Sequence, residues 1–344
     1  MWFQGLIAAP SHAWAKFIYY GLAKGTRDSY RSAQEQYKLY VQEYFPGTPP
    51  WPATETLICA FAAHRLEGLG PYSRLKGASL EKYITGLRSY HIDRMWPIEA
   101  FTSETLKRIV RGSYEVYGRS KKPRLPITRD ILTAITAATP VTIEDLNLRT
   151  CFLLSFAAFL RMGEVTYEAK DSPGSDWFFE TKVTRSCIKF SENNDHVRLH
   201  LKRSKTDIKN EGTTILVAAI DSPLCPVKAL LQLFALDPQQ SNAPLFSFSG
   251  QPFTKDRVHR KLNDFLRSNG IDPKDYTLHS FRKGAAQHAK DSGMRDDQIQ
   301  ALGRWTSQAF QVYFKTSSAT LYAYQIQFQN GKPLPFGALP IPQS

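Results

Sequence analysis

Residues 118–127 read GRSKKPRLPI, and this stretch limits what the chain can fold into more than any other. Its two prolines fix their own φ and push the residues before them out of the helical region, so neither a helix nor a central strand runs through it. Arg119, Lys121, Lys122 and Arg124 crowd the same segment, a composition that favours an extended connection. A chain of 344 residues is long for one compact unit, and a break here leaves a piece on each side large enough to bury its own core. The expected organisation is a first domain over 1–117, a linker over 118–127, a second domain over 128–330 and a tail over 331–344. That tail, GKPLPFGALPIPQS, is too rich in proline and glycine to fold alone.

The two sides differ in hydrophobic period. Upstream, SYRSAQEQYKLYVQEYF, ATETLICAFAAHRLEGL, SLEKYITGLRSYHI and SETLKRIVRGSYEVY repeat apolar residues at helical spacing, punctuated by Pro49, Pro50 and Pro52 and by Gly68, Gly70 and Pro71. Downstream, Thr142 followed by Asp145 has the form of a helix N-cap ahead of the apolar run to residue 160. Then TRSCIKF, HVRLHLKRSKTD and GTTILVAAI alternate, with Val197, Leu199, Leu201, Ile215 and Val217 on one face, which predicts a small antiparallel sheet around a basic turn. Helical spacing returns from CPVKALLQLF through TLHSFRKGAAQHAKDSG and DDQIQALGRW to SQAFQVYF. The fold class is therefore α+β: an all-α domain, then a mostly helical domain with a small antiparallel sheet.

Lys and Arg number 44 against 31 Asp and Glu, a net charge of +13 that points to a polyanionic partner, nucleic acid first and an anionic membrane surface second. The cysteines Cys59, Cys151, Cys187 and Cys225 are far apart, which suggests neither a zinc site nor a disulfide framework and fits a reducing compartment. The N-terminal MWFQGLIAAPSHAWA lacks a basic opening and is interrupted by Gln4, Pro10 and His12, so no secretory signal is expected. The longest apolar run, CFLLSFAAFL, falls short of the ~20 residues of a membrane span, and a soluble protein is expected. No G-x-x-x-x-G-K-S/T loop and no acidic metal cluster stand out, so neither ATP nor a metal cofactor is expected.

Several residues carry chemistry in combination. Arg161 follows an almost wholly apolar helix, where its guanidinium either snorkels outward or sits in a polar site at the core's edge, with Glu164 placed to orient it. A guanidinium is suited to bidentate contact with a phosphate. His279 and Arg282 share a face near a helix start, whose amides also favour an anion. Lys205 falls at the tip of the hairpin, where a solvated basic turn is the plainer reading. Trp305 and Tyr313 follow in LGRWTSQAFQVYF.

Taken in order, arginine with glutamate at +3, hairpin lysine, H-x-x-R, Gly-Arg-Trp and tyrosine resemble the catalytic set of the tyrosine recombinase (phage-integrase) family. The likeness extends to RLPITRDIL, CPVKAL and PLFSFSGQPFT, and to GTRDSYRSAQEQY in the first half. The wording around HSFRKGAA and LGRWTSQAFQVYF is closest to recombinases of eukaryotic mobile elements of the crypton and DIRS kinds. The resemblance implies Tyr313 as nucleophile, forming a 3′-phosphotyrosyl link, and Arg161 and Arg282 on the non-bridging phosphate oxygens. It implies Lys205 as the acid for the leaving 5′-oxygen, with Lys202, Arg203 and Lys209 as rivals, and His279 as acid/base or hydrogen-bond donor. It implies no metal and no ATP. Counting forward from Arg282 by the family spacing lands on Trp305 in the His/Trp box, while counting back from Tyr313 lands on Arg304. The indole N–H favours Trp305. Tyr322 and Tyr324 are rivals to Tyr313 but lie farther beyond the Gly-Arg-Trp turn. EAKDSPGSDWFFETK has the look of an insertion.

The implied protein binds double-stranded DNA through the basic linker and hairpin (Arg119, Lys121, Lys122, Arg124, Lys202, Arg203) and works as a tetramer on DNA that passes through a Holliday junction. Free, it would be a monomer or dimer. Nuclear residence follows if the source is a eukaryotic mobile element, and cytoplasmic residence otherwise. Type IB topoisomerase-like relaxation and a domesticated DNA-binding factor without catalysis are the alternative readings.

Overall fold

The computed structural model describes residues 14–118, 124–137, 142–204, 207, 211–305 and 311. The chain divides into two compact units, Met1–Lys122 and Pro123–Ser344.

The described part of the first unit is helical: α1 (Trp14–Tyr20), α2 (Lys24–Tyr44), α3 (Glu55–Glu67), α4 (Gly77–Ile92) and α5 (Glu104–Tyr117). Polar caps set the ends. The hydroxyl of Thr54 accepts from the Leu57 N–H to begin α3, that of Ser103 accepts from Leu106 to begin α5, and Gly68, at φ 72°, closes α3 in the left-handed conformation. The apolar faces meet in a core of Tyr37, Val41, Ile58, Phe61, Leu80, Leu87 and Leu106. His91 staples this core from within. Its Nε2 accepts from the Ala53 N–H at 2.9 Å, which puts the ring proton on Nδ1, 2.6 Å from the Pro97 carbonyl it donates to. Burial is the main force holding its pKa below the ordinary value.

The second unit contains α6 (Arg129–Thr136), α7 (Ile143–Ala157), α8 (Met162–Val165), α9 (Asp176–Thr181), β1 (Ile188–Phe190), β2 (His196–Leu201), β3 (Thr213–Ala218), α10 (Pro226–Leu236), α11 (Lys255–Ser268), α12 (Ser280–Asp291) and α13 (Asp296–Gly303). The strands form an antiparallel sheet in the order β1-β2-β3, with Val197 opposite Val217 and Leu199 opposite Ile215. Val197, Leu199 and Leu201 are buried while Arg198 and His200 face water, the alternation the sequence predicts.

The central helix is α7. Thr142 and Asp145 cap it reciprocally: the Asp145 N–H donates to the Thr142 hydroxyl and the Thr142 N–H to the Asp145 carboxylate. Every residue from Thr150 to Ser155 is buried, with α10 and α12 packed against the helix, which explains why its second half is so apolar. Phe152 of α7 and Phe281 of α12 stack with centroids 4.9 Å apart, and each such ring contributes about 1.5–3 kcal/mol by leaving water.

The end of α7 departs from the sequence expectation. The apolar run continues to Leu160, but the helix stops at Ala157 because Phe159 adopts a left-handed conformation, φ 50°, and the Leu160 N–H turns back to the Ser155 carbonyl at 2.9 Å. Arg161 is therefore not the last residue of a long helix but the first of a new turn. The apparent insertion is folded: Ser175 caps α9, whose Phe178 is fully buried edge-on against Tyr167 at 5.2 Å.

Candidate active site

Arg161 caps α8 through an exchange with Glu164. The Arg161 N–H donates to Glu164 Oε2 at 2.9 Å, and its Nη1 to Oε1 at 3.2 Å. The Arg161 side chain keeps 24% of its exposure and that of Glu164 only 5%, so the carboxylate is a buried counter-ion behind a partly open guanidinium. Glu164 also receives Arg304 Nη2 at 3.2 Å. One carboxylate thus fixes two guanidinium groups, a geometry that orients both forks and offsets part of their mutual repulsion. Burial is the strongest influence on Arg304 and lowers its pKa, opposed by Glu164; so strong a base still carries its charge at neutral pH.

The left-handed turns meet here. Arg304, at φ 57°, closes α13, and the Trp305 N–H bonds back to the Gln300 carbonyl at 3.1 Å. The Phe159 carbonyl accepts from Arg304 Nη2 at 3.3 Å and also from Arg282 Nη1, while Arg282 Nη2 donates to the Gly303 carbonyl. Arg282 is 1% exposed and the Trp305 ring lies over its guanidinium. Phe159 meets the same indole edge-on at 6.0 Å.

His279 stands at the N-cap of α12, one helical turn before Arg282. Lost hydration is the first cause lowering its pKa, followed by the charges of Arg282, Arg161 and Lys283, so the imidazole is neutral at neutral pH. The same influences show that Arg161, His279 and Arg282 share one electrostatic neighbourhood.

A cavity of about 530 Å³ opens beside this cluster, lined by Arg161, Arg304 and Trp305 together with Ser204 and Asp207 of the β2–β3 connection and Thr213 at the start of β3. Asp207 shapes that connection by accepting the N–H groups of Glu211 at 3.1 Å and Gly212 at 2.8 Å. Lys205 lies outside the described residues, but Ser204 and Asp207 on either side of it both line the cavity. Neither His279 nor Arg282 is among the described lining residues, Arg282 being under the indole.

The other sequence candidates are scattered. Lys202 is engaged elsewhere: its Nζ is 4.2 Å from the Phe179 ring centroid, donates to the Phe179 carbonyl and reaches the Thr184 hydroxyl at 3.3 Å. Arg203 is exposed. Arg124 is exposed and donates to the Lys274 carbonyl. Tyr313, Arg119, Lys121, Lys122, Lys209, Tyr322 and Tyr324 lie outside the described residues. Sequence reasoning missed Phe159, whose carbonyl gathers two arginines; a backbone acceptor presented by a left-handed non-glycine residue leaves no pattern in the side chains. It also missed Lys283, although that residue stands beside Arg282 in the H-x-x-R motif.

No family model matches the chain, and no curated protein does. Solved structures do. The XerH site-specific recombinase bound to palindromic difH substrate, a post-cleavage complex, superposes with a TM-score of 0.56 at 16% identity over 85% of this chain and 77% of that one. A lambda integrase dimer bound to a COC′ core site gives 0.54 at 17% identity, over 88% and 76%. The Tn1549 transposon integrase with circular intermediate DNA gives 0.51 at 10% identity, over 85% and 98%. In fold, then, the chain matches the tyrosine recombinases and integrases: mostly helical, with a small three-stranded antiparallel sheet.

Proposed function

We propose that this protein is a site-specific DNA recombinase that cleaves and rejoins DNA through a 3′-phosphotyrosyl intermediate in the service of a mobile element. The observation that carries the reading is the gathering of Arg161, His279, Arg282 and Trp305, from three separate elements, into one cationic neighbourhood beside an open cavity. A net charge of +13 supports a polyanionic substrate.

In this reading the Tyr313 oxygen attacks the phosphorus of a backbone phosphodiester. The bond from phosphorus to the 5′-oxygen breaks, and Lys205 delivers the proton that the departing oxygen takes. Arg161 meets the non-bridging oxygens from the cavity wall, and Arg282 adds its buried charge from beneath Trp305, where it stabilises the pentavalent transition state. The neutral His279 is suited to accept the Tyr313 proton or to hydrogen-bond the same phosphate. A 5′-hydroxyl from a second strand then reverses the sequence. The bond energy is conserved in the phosphotyrosine, so no step calls for ATP. The working form in this reading is a tetramer on DNA that passes through a Holliday junction, and the setting is the nucleus if the element is eukaryotic.

The test is a denaturing gel of wild-type and Tyr313→Phe protein with labelled DNA from the ends of the encoding element. A protein-sized DNA adduct that the substitution abolishes is the expected result. DNA binding by both proteins with no adduct, even on a nicked substrate, would replace this reading with that of a non-catalytic binding factor. Relaxation of supercoiled DNA without joining of two duplexes would replace it with a topoisomerase.

A further inference from the structure

Residues 124–127, the last of the proline-containing basic segment, are fastened to the start of α12 and to the turn before it. The Leu125 N–H donates to the Asp275 carbonyl at 2.8 Å and the Ile127 N–H to the Ser280 carbonyl at 2.9 Å. Arg124 is held from both sides, its side chain donating to the Lys274 carbonyl and its own carbonyl accepting Lys283 Nζ at 2.6 Å. Ile127 is fully buried, and Lys283 is 7% exposed. The approach is so close that only glycine fits at position 284: a Cβ there would lie 1.8 Å from the Ile127 carbonyl oxygen. His279 stands inside the fastened span, between Asp275 and Ser280, and the Lys283 N–H closes the first turn of α12 on the His279 carbonyl at 3.1 Å.

We propose that residues 124–127 form a strap that positions His279 and Arg282 for strand cleavage, and that Lys283 is the positioning residue tying the strap to the catalytic helix. This rests on the recombinase reading and goes beyond it. A lysine carries a long flexible stem, and burying one beside Arg282 and His279 is unfavourable unless its ammonium is held. The Arg124 carbonyl holds it, at a place where the charge also acts on His279. Gly284 removes the one side chain that would lift the strap.

The experiment uses the full chain with Lys283→Met, Lys283→Arg and Gly284→Ala, and Lys283→Gln as a second variant should Lys283→Met not fold. Single-turnover adduct formation on a nicked DNA substrate is measured at saturating protein, alongside DNA affinity and the His279 imidazole titration by NMR. Displacing reacting groups by about 1 Å lowers rates on the order of 100-fold, so Lys283→Met and Gly284→Ala are expected to slow adduct formation about 10- to 100-fold with affinity little changed. Lys283→Arg is expected to recover most of the rate. Lys283→Met removes a cation and moves the His279 midpoint to higher pH, whereas Gly284→Ala keeps the charge and moves the His279 resonance mainly through displacement. Unchanged His279 shifts and midpoints in both Lys283→Met and Gly284→Ala would overturn the strap. So would a Lys283→Arg variant as slow as Lys283→Met. A wild-type protein that forms no adduct, with His279 perturbed in the variants, would overturn the recombinase reading and leave the strap standing.

Discussion

The indole of Trp305 covers the guanidinium of Arg282, whose carbon lies 4.4 Å from the ring centroid. The contact attracts a charge toward the ring face and keeps water off it, which raises the field that the charge exerts on a nearby anion. Gly303 makes the arrangement possible, because a Cβ at that position would come within 1.6 Å of the indole. Gly303→Ala therefore expels the ring from its seat. We expect that variant to slow adduct formation as much as Trp305→Ala does, with Trp305→Phe milder than either, since a phenyl ring restores the cation–π contact but not the N–H. Single-turnover cleavage on a nicked substrate ranks the three; equal rates for Phe and Ala at 305 would show that the ring face contributes nothing.

Glu164 holds Arg161 and Arg304 together, and its loss leaves two guanidinium groups facing each other without an anion. Glu164→Gln is expected to destabilise the second unit by about 1.5–3 kcal/mol, the range for hydrogen bonds to charged groups. A double-mutant cycle with Arg304→Met, followed by urea denaturation, isolates the Glu164–Arg304 pair, whose coupling should be positive. Adding DNA should recover part of the lost stability, because the phosphates supply the missing negative charge.

Much of this arrangement could be read before the structure, and the limit is physical. The alternation of Val197, Leu199 and Leu201 and the Thr142–Asp145 cap announce themselves because they depend on residues close in sequence. The position of Arg161 does not. A long apolar run looks like continued helix, and nothing in CFLLSFAAFL signals that Phe159 will turn left-handed, a conformation usually left to glycine. The burial of Arg282 was equally hidden: its partners are backbone carbonyls, which every residue possesses. Arg304 and Trp305, rivals for one position by spacing, turn out to do different things. Arg304 joins the carboxylate of Glu164, and Trp305 covers Arg282.

His279 supplies a pH dependence whose sign follows from its surroundings. Lost hydration and the cations Arg282, Arg161 and Lys283 hold its folded pKa below the ordinary 6.5. The unfolded chain then binds a proton at a pH where the folded one does not, so this residue's contribution to stability falls as pH drops from about 6.5 through its lowered folded value. A phosphodiester bound between the arginines offsets their charge and raises the His279 pKa. DNA binding near pH 6 should therefore take up a proton at His279. Calorimetry in buffers of different ionisation enthalpy measures the uptake, and His279→Asn should reduce it.

Outside the cavity lining, Arg185 and Asp237 form a buried ion pair at 2.8 Å, with Arg185 3% exposed and Asp237 8%. Asn147 Nδ2 approaches the same carboxylate at 3.3 Å, and the Arg185 guanidinium carbon is 4.8 Å from the Phe234 ring centroid. Removing water from both charges is costly, and the pair offsets that cost only while both members are present. Arg185→Met alone or Asp237→Leu alone strands a buried charge and should destabilise the second unit by about 3–5 kcal/mol. The double variant strands none and adds apolar surface beside Phe234, so its urea midpoint should lie well above that of either single variant and near that of wild type. A double variant as unstable as the sum of the singles would mean that the pair organises the start of β1 and the end of α10 through hydrogen bonds that apolar packing does not replace.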